Sequence, residues 1–325
     1  MADLSTLREV ILPSLISWKS LAIVLALLNL KNLPFSWHIR LLTHLLLNLR
    51  RSPTSPPFPT CPPDLTTTTT TKSKIRTHPI FHPHTLTTRT SLWETDYNFH
   101  KSNSTYFSDL DISRTAIVTR VYTPGLALVN TELDHELQNG TDANAKVNVG
   151  KKVYVALGST YTSFKREILP LQKYRVMSRV VGWDRKWVYV LSAFVSIPSA
   201  SSKKKMGGGK GKVFATAVSK YVVKKGWVTV PPERVLRASG MLPERSPGEK
   251  DEEVDGVVVE EEEEGTVENI VEVGGEVLSR DGDAKGEGDG VSDWTWEMIE
   301  EERVRGMKVV EGYVGLDEKL LAEWE

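Results

Sequence analysis

Apolar positions recur along this chain in three different rhythms, and each predicts a different kind of element. Residues 10–30, VILPSLISWKSLAIVLALLNL, form an almost unbroken apolar run long enough to cross a bilayer, interrupted by Pro13 and Lys19. After Asn32, Leu41, Leu42, Leu45, Leu46 and Leu49 return at helical spacing among Trp37, His38, Arg40 and His44, the pattern of a helix lying in a membrane interface. Residues 1–51 are therefore expected to form hydrophobic, membrane-associated helices. Prolines and threonines then displace any apolar period, so residues 52–77 read as a linker.

A folded domain is expected over residues 78–240. Leu92 and Trp93 among β-branched neighbours predict a strand over 89–95. A helix follows, with Asn103 or Ser104 as its cap and Tyr106, Phe107, Leu110, Ile117 and Val121 on its apolar side, until Pro124 and Gly125 end it. Residues 126–150 are polar and read as an excursion around a short strand. The period then becomes two, predicting strands over 153–165, 173–182, 186–196 and 213–224, with a bulge at Gly158 and a tight hairpin at Trp183, Asp184 and Arg185. A short helix opens at Pro231 and Pro232 and runs to Ala238. Strand, helix and four long antiparallel strands give an α+β fold in which one sheet wraps one central helix, because the sheet's apolar face has that helix to bury against. Beyond it, residues 241–293 read as an acidic, disordered arm and residues 294–325 as a helix that docks on the body or binds a partner.

Charge divides the chain in the same places. Residues 1–84 carry 9 basic and 3 acidic side chains, residues 85–240 carry 24 and 11, and residues 244–325 carry 8 and 28, so a net charge of -1 conceals a basic body and an acidic tail. The body suits anionic ligands such as phosphates, but no nucleic-acid-binding motif interleaves its basic residues. Cys61 is the single cysteine, which excludes an internal disulfide and any CxxC metal site. His38 and His44 lack a third ligand nearby, so no metal and no cofactor is expected. The glycine-rich stretch over 199–212 lacks the GxxxxGK[ST] pattern and reads as a loop. Asp3 and Glu9 near the start and the absence of a small-residue cleavage site argue against a secretory signal. Arg50 and Arg51 after the apolar helices favour a body facing the cytosol, with the endoplasmic reticulum as a candidate membrane.

Candidate chemistry concentrates in LWETDYNFHKSNSTYFSDLDISR, residues 92–114. A carboxylate just before a helix can act as base or nucleophile, and the helix's first amides can stabilise a developing oxyanion. Asp96, seven residues before Asn103, has that placement, and His100 can orient the carboxylate or a substrate. Taken singly, Asp96 also fits an Asx turn, Asn103 a plain cap, and Asp111 with Arg114 an ordinary ion pair three residues apart. Arg166, beside the end of a strand, fits a phosphate contact or a pair with Asp111 or Glu167, and the pair is the expected arrangement.

Asp96, His100, Asn103, Tyr106, Asp111 and Arg114 fall at the spacings of the signature D-x-D-x-x-G-H-x-x-N-x-x-Y, followed by an acidic residue and an arginine. The segment thus resembles the 4-hydroxybenzoyl-CoA thioesterase-like hotdog family. NLKNLPFSWHIRL, FKREI and WDRKW look closest to its membrane-associated branch with animal and fungal members, and the likeness covers about residues 25–240. The resemblance implies a hotdog fold, a homodimer, and an acyl-CoA or acyl-carrier thioester as substrate. It assigns Asp96 as the catalytic carboxylate and Asn103 as the helix-start residue whose amide polarises the thioester carbonyl, with His100 beside them. Beside these, Phe99 and Tyr106 are candidate substrate contacts, Arg166 is one by the phosphate contact it fits, and Asp111–Arg114 remains a structural pair. Glu94 replaces the signature's first aspartate, and Phe99 replaces the glycine before the histidine, which changes the acyl pocket. The alternative is a non-catalytic hotdog that binds an acyl or lipid ligand, or serves as a scaffold.

Overall fold

The computed structural model describes residues 17–55, 77–140, 146–197, 211–243, 257–259, 269–271 and 294–324. Two helices open it, α1 (Trp18–Leu28) and α2 (Ser36–Asn48). Strand β1 (His84–Arg89) precedes the long helix α3 (Tyr106–Tyr122) and α4 (Gly125–Asn139). Four long strands follow: β2 (Val153–Phe164), β3 (Lys173–Trp183), β4 (Trp187–Ser196) and β5 (Val213–Lys225). All five strands pair antiparallel in the spatial order β1-β3-β4-β5-β2. A short β6 (Val228–Val230) and α5 (Pro232–Ala238) complete the body.

Eleven of the 17 residues of α3 are buried, so it is enclosed rather than laid on a surface. Ile117 and Val121 meet Val180, Val190 and Val223 in one core cluster, while Tyr106 and Leu110 meet Val176, Phe194 and Ala217 in a second. The period of two sends alternate residues to the sheet's other face, where Val181 and Tyr189 form a third cluster with Val310 and Tyr313. Helices α6 (Trp296–Val310) and α7 (Leu316–Trp324) supply that cover. Gly306 permits the approach, since a Cβ there would lie 1.6 Å from the Val181 carbonyl oxygen. Arg303 Nη1 donates to the Trp183 carbonyl at 2.6 Å, and Asp317 pairs with Lys220 at 2.6 Å. The C-terminal helices therefore dock on the body.

Three expectations require correction. The strand lies at 84–89, with Leu86 opposite Val176; residues 92–94 instead form a 3₁₀ turn closed by a Ser91–Glu94 capping box. Residues 126–139 belong to a helix, not a polar excursion, because Val129, Leu133 and Leu137 repeat every four residues and bury one stripe. The acidic arm contributes β7 (Val257–Val259) and β8 (Asn269–Val271), since short β-branched runs can complete the hydrogen bonds of β6 without a core of their own. The bulge at Gly158 is present as a register shift between Leu157 and Ser159, and a Cβ there would meet the Trp187 ring at 2.3 Å. At the start of the expected arm Met241 and Leu242 are buried in the core, so the body extends past residue 240; most other residues of the arm, the glycine-rich tip over 198–210 and most of the linker lie outside the described residues.

Within the expected membrane span, α1 has 11 residues and covers about 16 Å at 1.5 Å per residue, against about 30 Å of hydrocarbon. No described helix is long and apolar enough to cross a membrane, and residues 1–16 lie outside the described set. The two helices are tied to the body. Buried Arg50, just after α2, donates to the carbonyls of Thr123 at 3.2 Å and Ser239 at 3.0 Å.

Candidate active site

Asp96 stands at the base of a tight hairpin. Thr95 bridges Lys101, the Asp96 amide donates to the His100 carbonyl at 2.9 Å, and the Phe99 amide donates to the Asp96 carbonyl at 3.1 Å. This is a three-residue loop whose last position adopts a left-handed backbone, and Phe99 holds it at φ +59°. Glycine takes that conformation without steric cost, which gives the glycine-to-phenylalanine replacement a direct backbone consequence. Phe99 is 78% exposed, and Tyr97 and Trp93 on the same segment are 89% and 64% exposed.

The carboxylate of Asp96 is partly exposed and doubly oriented. Oδ1 accepts from the Asn98 amide at 2.9 Å, an Asx turn, and Oδ2 lies 3.5 Å from His100 Nδ1. The Asx-turn and carboxylate readings of Asp96 are thus compatible, because the turn occupies one oxygen and leaves the other beside the imidazole.

Helix α3 is entered through a 3₁₀ turn, Asn103–Thr105. Neither Asn103 nor Ser104 caps it, contrary to expectation: the capping positions are Ser102 and Thr105, and neither makes a side-chain cap. The extra turn has moved the helix start to Tyr106. Among the described residues the amides of Asn103 and Ser104 have no acceptor, as at any helix start, and Asn103 is exposed. A carboxylate and donor amides are thereby placed on one short segment.

The other sequence-derived residues are distributed around this segment. Tyr106 is buried, edge-on to Phe164 and Phe194 at 5.0 and 4.8 Å, and burial pushes its hydroxyl pKa up to about 12. Arg114 pairs with Asp111 at 2.6 Å and its Nη1 donates to Thr160 and Ser219. Arg166 is exposed and pairs with neither Asp111 nor Glu167 among the described residues, correcting that expectation; Asp111 is already held by Arg114.

Beneath the hairpin lies a charge cluster that sequence reasoning missed. Lys101, the residue after His100, is buried with Nζ 3.0 Å from Glu94 and 3.3 Å from Asp109. Lys31 reaches the same carboxylates at 2.8 and 2.9 Å, Arg40 reaches Asp109 at 3.3 Å, and the Tyr174 hydroxyl donates to Asp109. Burial alone would raise the Asp109 pKa; the Lys31 and Lys101 ammonium groups and the Tyr174 hydroxyl override it and hold it down to about 2. Burial lowers the Lys101 pKa, and its neighbouring carboxylates oppose that shift. The segment between α1 and α2 grips the hairpin's approach with three side chains. Asn29 Oδ1 accepts from the Trp93 amide at 2.8 Å, Lys31 binds Glu94, and Asn32 Nδ2 donates to Ser91 Oγ at 2.9 Å. NLKN is therefore part of the scaffold of the site. The local signal was the S-x-x-E spacing of Ser91 and Glu94; the partners 63 to 78 residues away left none.

A family model described as the thioesterase-like superfamily matches residues 90–232. Thioesterase lcsJ of Purpureocillium lilacinum is 37% identical over 312 residues, covering 94% of this chain and 92% of that protein. The probable thioesterase atnL of Emericella nidulans is 36% identical over 266 residues, covering 76% and 81%. Thioesterase poxG of Penicillium oxalicum is 31% identical over 320 residues, covering 93% and 85%. Identity at this level along nearly whole chains, on a sheet that encloses one long helix, places this protein in the hotdog-fold thioesterase-like superfamily.

Proposed function

We propose that this protein hydrolyses acyl-CoA-type thioesters, with Asp96 as the base that activates water. The observation that carries the reading is the Asp96 carboxylate: one oxygen is held by the Asn98 amide and the other stands beside His100, on the segment that leads into the open amides of Asn103 and Ser104. In the step this supports, Asp96 takes a proton from water as the water oxygen bonds to the thioester carbonyl carbon. The negative charge on the carbonyl oxygen is met by the helix-start amides. The C–S bond then breaks, and the proton passes to the departing thiolate, giving a carboxylic acid and a thiol. Arg166, a cation without an acidic partner among the described residues, fits a CoA phosphate at the rim of the same segment.

Trp93, Tyr97 and Phe99, on the segment that carries Asp96, are exposed aromatics, and among the described strands β2 pairs with β5 alone while exposing Tyr154, Leu157 and Tyr161. These features support a homodimer whose second subunit completes the acyl pocket. The exposed apolar faces of α1 and α2, with Leu21, Ile23, Phe35, Ile39 and Leu46 each more than half exposed, support peripheral attachment to a membrane. A second reading, an acyl-binding protein without turnover, draws support from the Phe99 ring in the position that the family signature gives to glycine.

Purified full-length protein is to be assayed against acyl-CoAs of graded chain length. The hydrolytic reading expects thiol release by the wild type and a loss of at least a hundredfold in kcat/KM for Asp96→Ala, in the range of general-base catalysis. Equal rates for the two proteins remove Asp96 from the chemistry; stabilisation by acyl-CoA without thiol release supports the binding reading.

A further inference from the structure

The groove between the N-terminal helices and the edge strand β1 is separate from the Asp96 carboxylate. It encloses about 520 Å³, within the range of about 300–1,000 Å³ for small-ligand sites. Its apolar wall comes from Leu27, Leu28, Leu30 and Ile39 of the helical segment. Its charged lining is Lys31, Arg40, Arg89 and Lys173, with no carboxylate among the lining residues.

These four cations are not equivalent. Lys31 and Arg40 are balanced by Glu94 and Asp109 on the body side. Arg89 and Lys173 have no acidic partner among the described residues. They are also direct register partners across β1 and β3, so two positive side chains leave the same face of the sheet side by side. Like charges directly opposite on an antiparallel pair repel each other and destabilise it. An anion between them removes that repulsion and places its charge where the fold supplies none.

We infer that this groove binds the headgroup of an acidic phospholipid, with Arg89 and Lys173 on the phosphate and the acyl chains running along the Leu27–Leu30–Ile39 wall. The inference rests on the membrane attachment proposed above and specifies how it is made. A lipid satisfies both halves of the site at once. The wall continues onto exposed Leu21, Ile23, Leu42 and Leu46, an apolar area suited to the acyl boundary, while the paired cations lie where headgroups sit. The site would hold the protein with Ser91, the start of the catalytic hairpin's capping box, at the lipid-facing groove.

The test is vesicle flotation of the full-length protein with phosphatidylcholine alone and with phosphatidylcholine containing a fifth of phosphatidic acid. Wild type is compared with Arg89→Gln/Lys173→Gln and with a charge-matched control on the C-terminal helices, Lys308→Gln/Lys319→Gln. The expected result is preferential partition of wild type onto acidic vesicles, lost roughly 30-fold in the groove variant at about 1 kcal/mol per contact and retained in the control. Because the groove variant removes a repulsive pair, its melting temperature is expected to equal or exceed that of wild type, which separates lost binding from lost folding. Equal binding to both vesicle types, unaffected by either variant, overturns the headgroup site while leaving membrane attachment intact. Equal losses in both variants show only diffuse attraction and also overturn it. No flotation with any vesicle overturns the site and the membrane reading together.

Discussion

Replacing Asp109 by asparagine removes the negative charge at the centre of the cluster beneath the Asp96 hairpin. The side chain is fully buried and faces Lys31 at 2.9 Å, Lys101 and Arg40 at 3.3 Å each, and the Tyr174 hydroxyl. Its pKa falls from 3.8 to about 2 on folding, and at about 1.4 kcal/mol per unit the charged form contributes about 2 kcal/mol. Asparagine forfeits that and also leaves Lys31 and Lys101 facing Glu94 alone and Arg40 without its carboxylate. Breaking a buried pair from one side costs about 3–5 kcal/mol, so the loss at neutral pH should fall between about 2 and 5 kcal/mol. The sign of the pH dependence follows from the depressed pKa: the contribution is complete above 3.8 and is lost as the pH falls through about 2. Urea unfolding monitored by tryptophan fluorescence, at intervals from pH 7 down to pH 2.5, should show a lower midpoint for Asp109→Asn at pH 7. The two curves should approach each other at the acid end. A variant within about 0.5 kcal/mol of wild type at pH 7, or a gap that widens on acidification, would refute the assignment of Asp109 as the charge that balances these cations. The same variant should slow thioester hydrolysis, because Lys101 follows His100 directly and is positioned by this carboxylate.

Phe99→Gly should raise stability by about 0.5–1 kcal/mol. It relieves about 1–2 kcal/mol of left-handed strain at φ +59° and gives back part of that in unfolded-chain entropy, and a thermal melt reads the difference. Gly306→Ala should lever α6 from the sheet, because its Cβ would overlap the Val181 carbonyl; limited proteolysis should then cut within residues 294–324 while wild type resists. Burial holds the His78 pKa down to about 4, so the unfolded chain binds a proton that the folded one refuses. His78 should therefore cost about 3 kcal/mol of stability as the pH falls from 6.5 to about 4, and His78→Gln should flatten that slope in chemical denaturation.

The strands after Val153 were readable because period-two alternation is a local pattern that survives whatever the strands pair with. Lys173–Trp183 and Val213–Lys225 fall within a residue of their expected limits. Helix α4 carried its stripe in plain sight at Val129, Leu133 and Leu137, but polar neighbours obscured it. Strand β1 has three threonines and a single buried leucine, so its identity depends on β3 beside it more than on its own residues. Asp111 with Arg114 was legible as a pair three residues apart, whereas the expected pairing of Arg166 with Asp111 or Glu167 failed, because Arg114, held in place by Thr160 and Ser219, already occupies Asp111.

By itself the sequence determined a sheet around a helix, the order of its long strands, and a carboxylate seven residues before the turn that enters that helix. Those are properties of spacing along one chain. The tertiary structure alone decided that Lys31 and Arg40, from a segment expected to serve a membrane, close a buried charge cluster under the Asp96 hairpin. It alone also set Arg89 against Lys173 across two strands. Burying a charge is favourable only when its partner arrives at about 3 Å, and that distance is fixed by packing between segments far apart in the chain, where no local pattern records it.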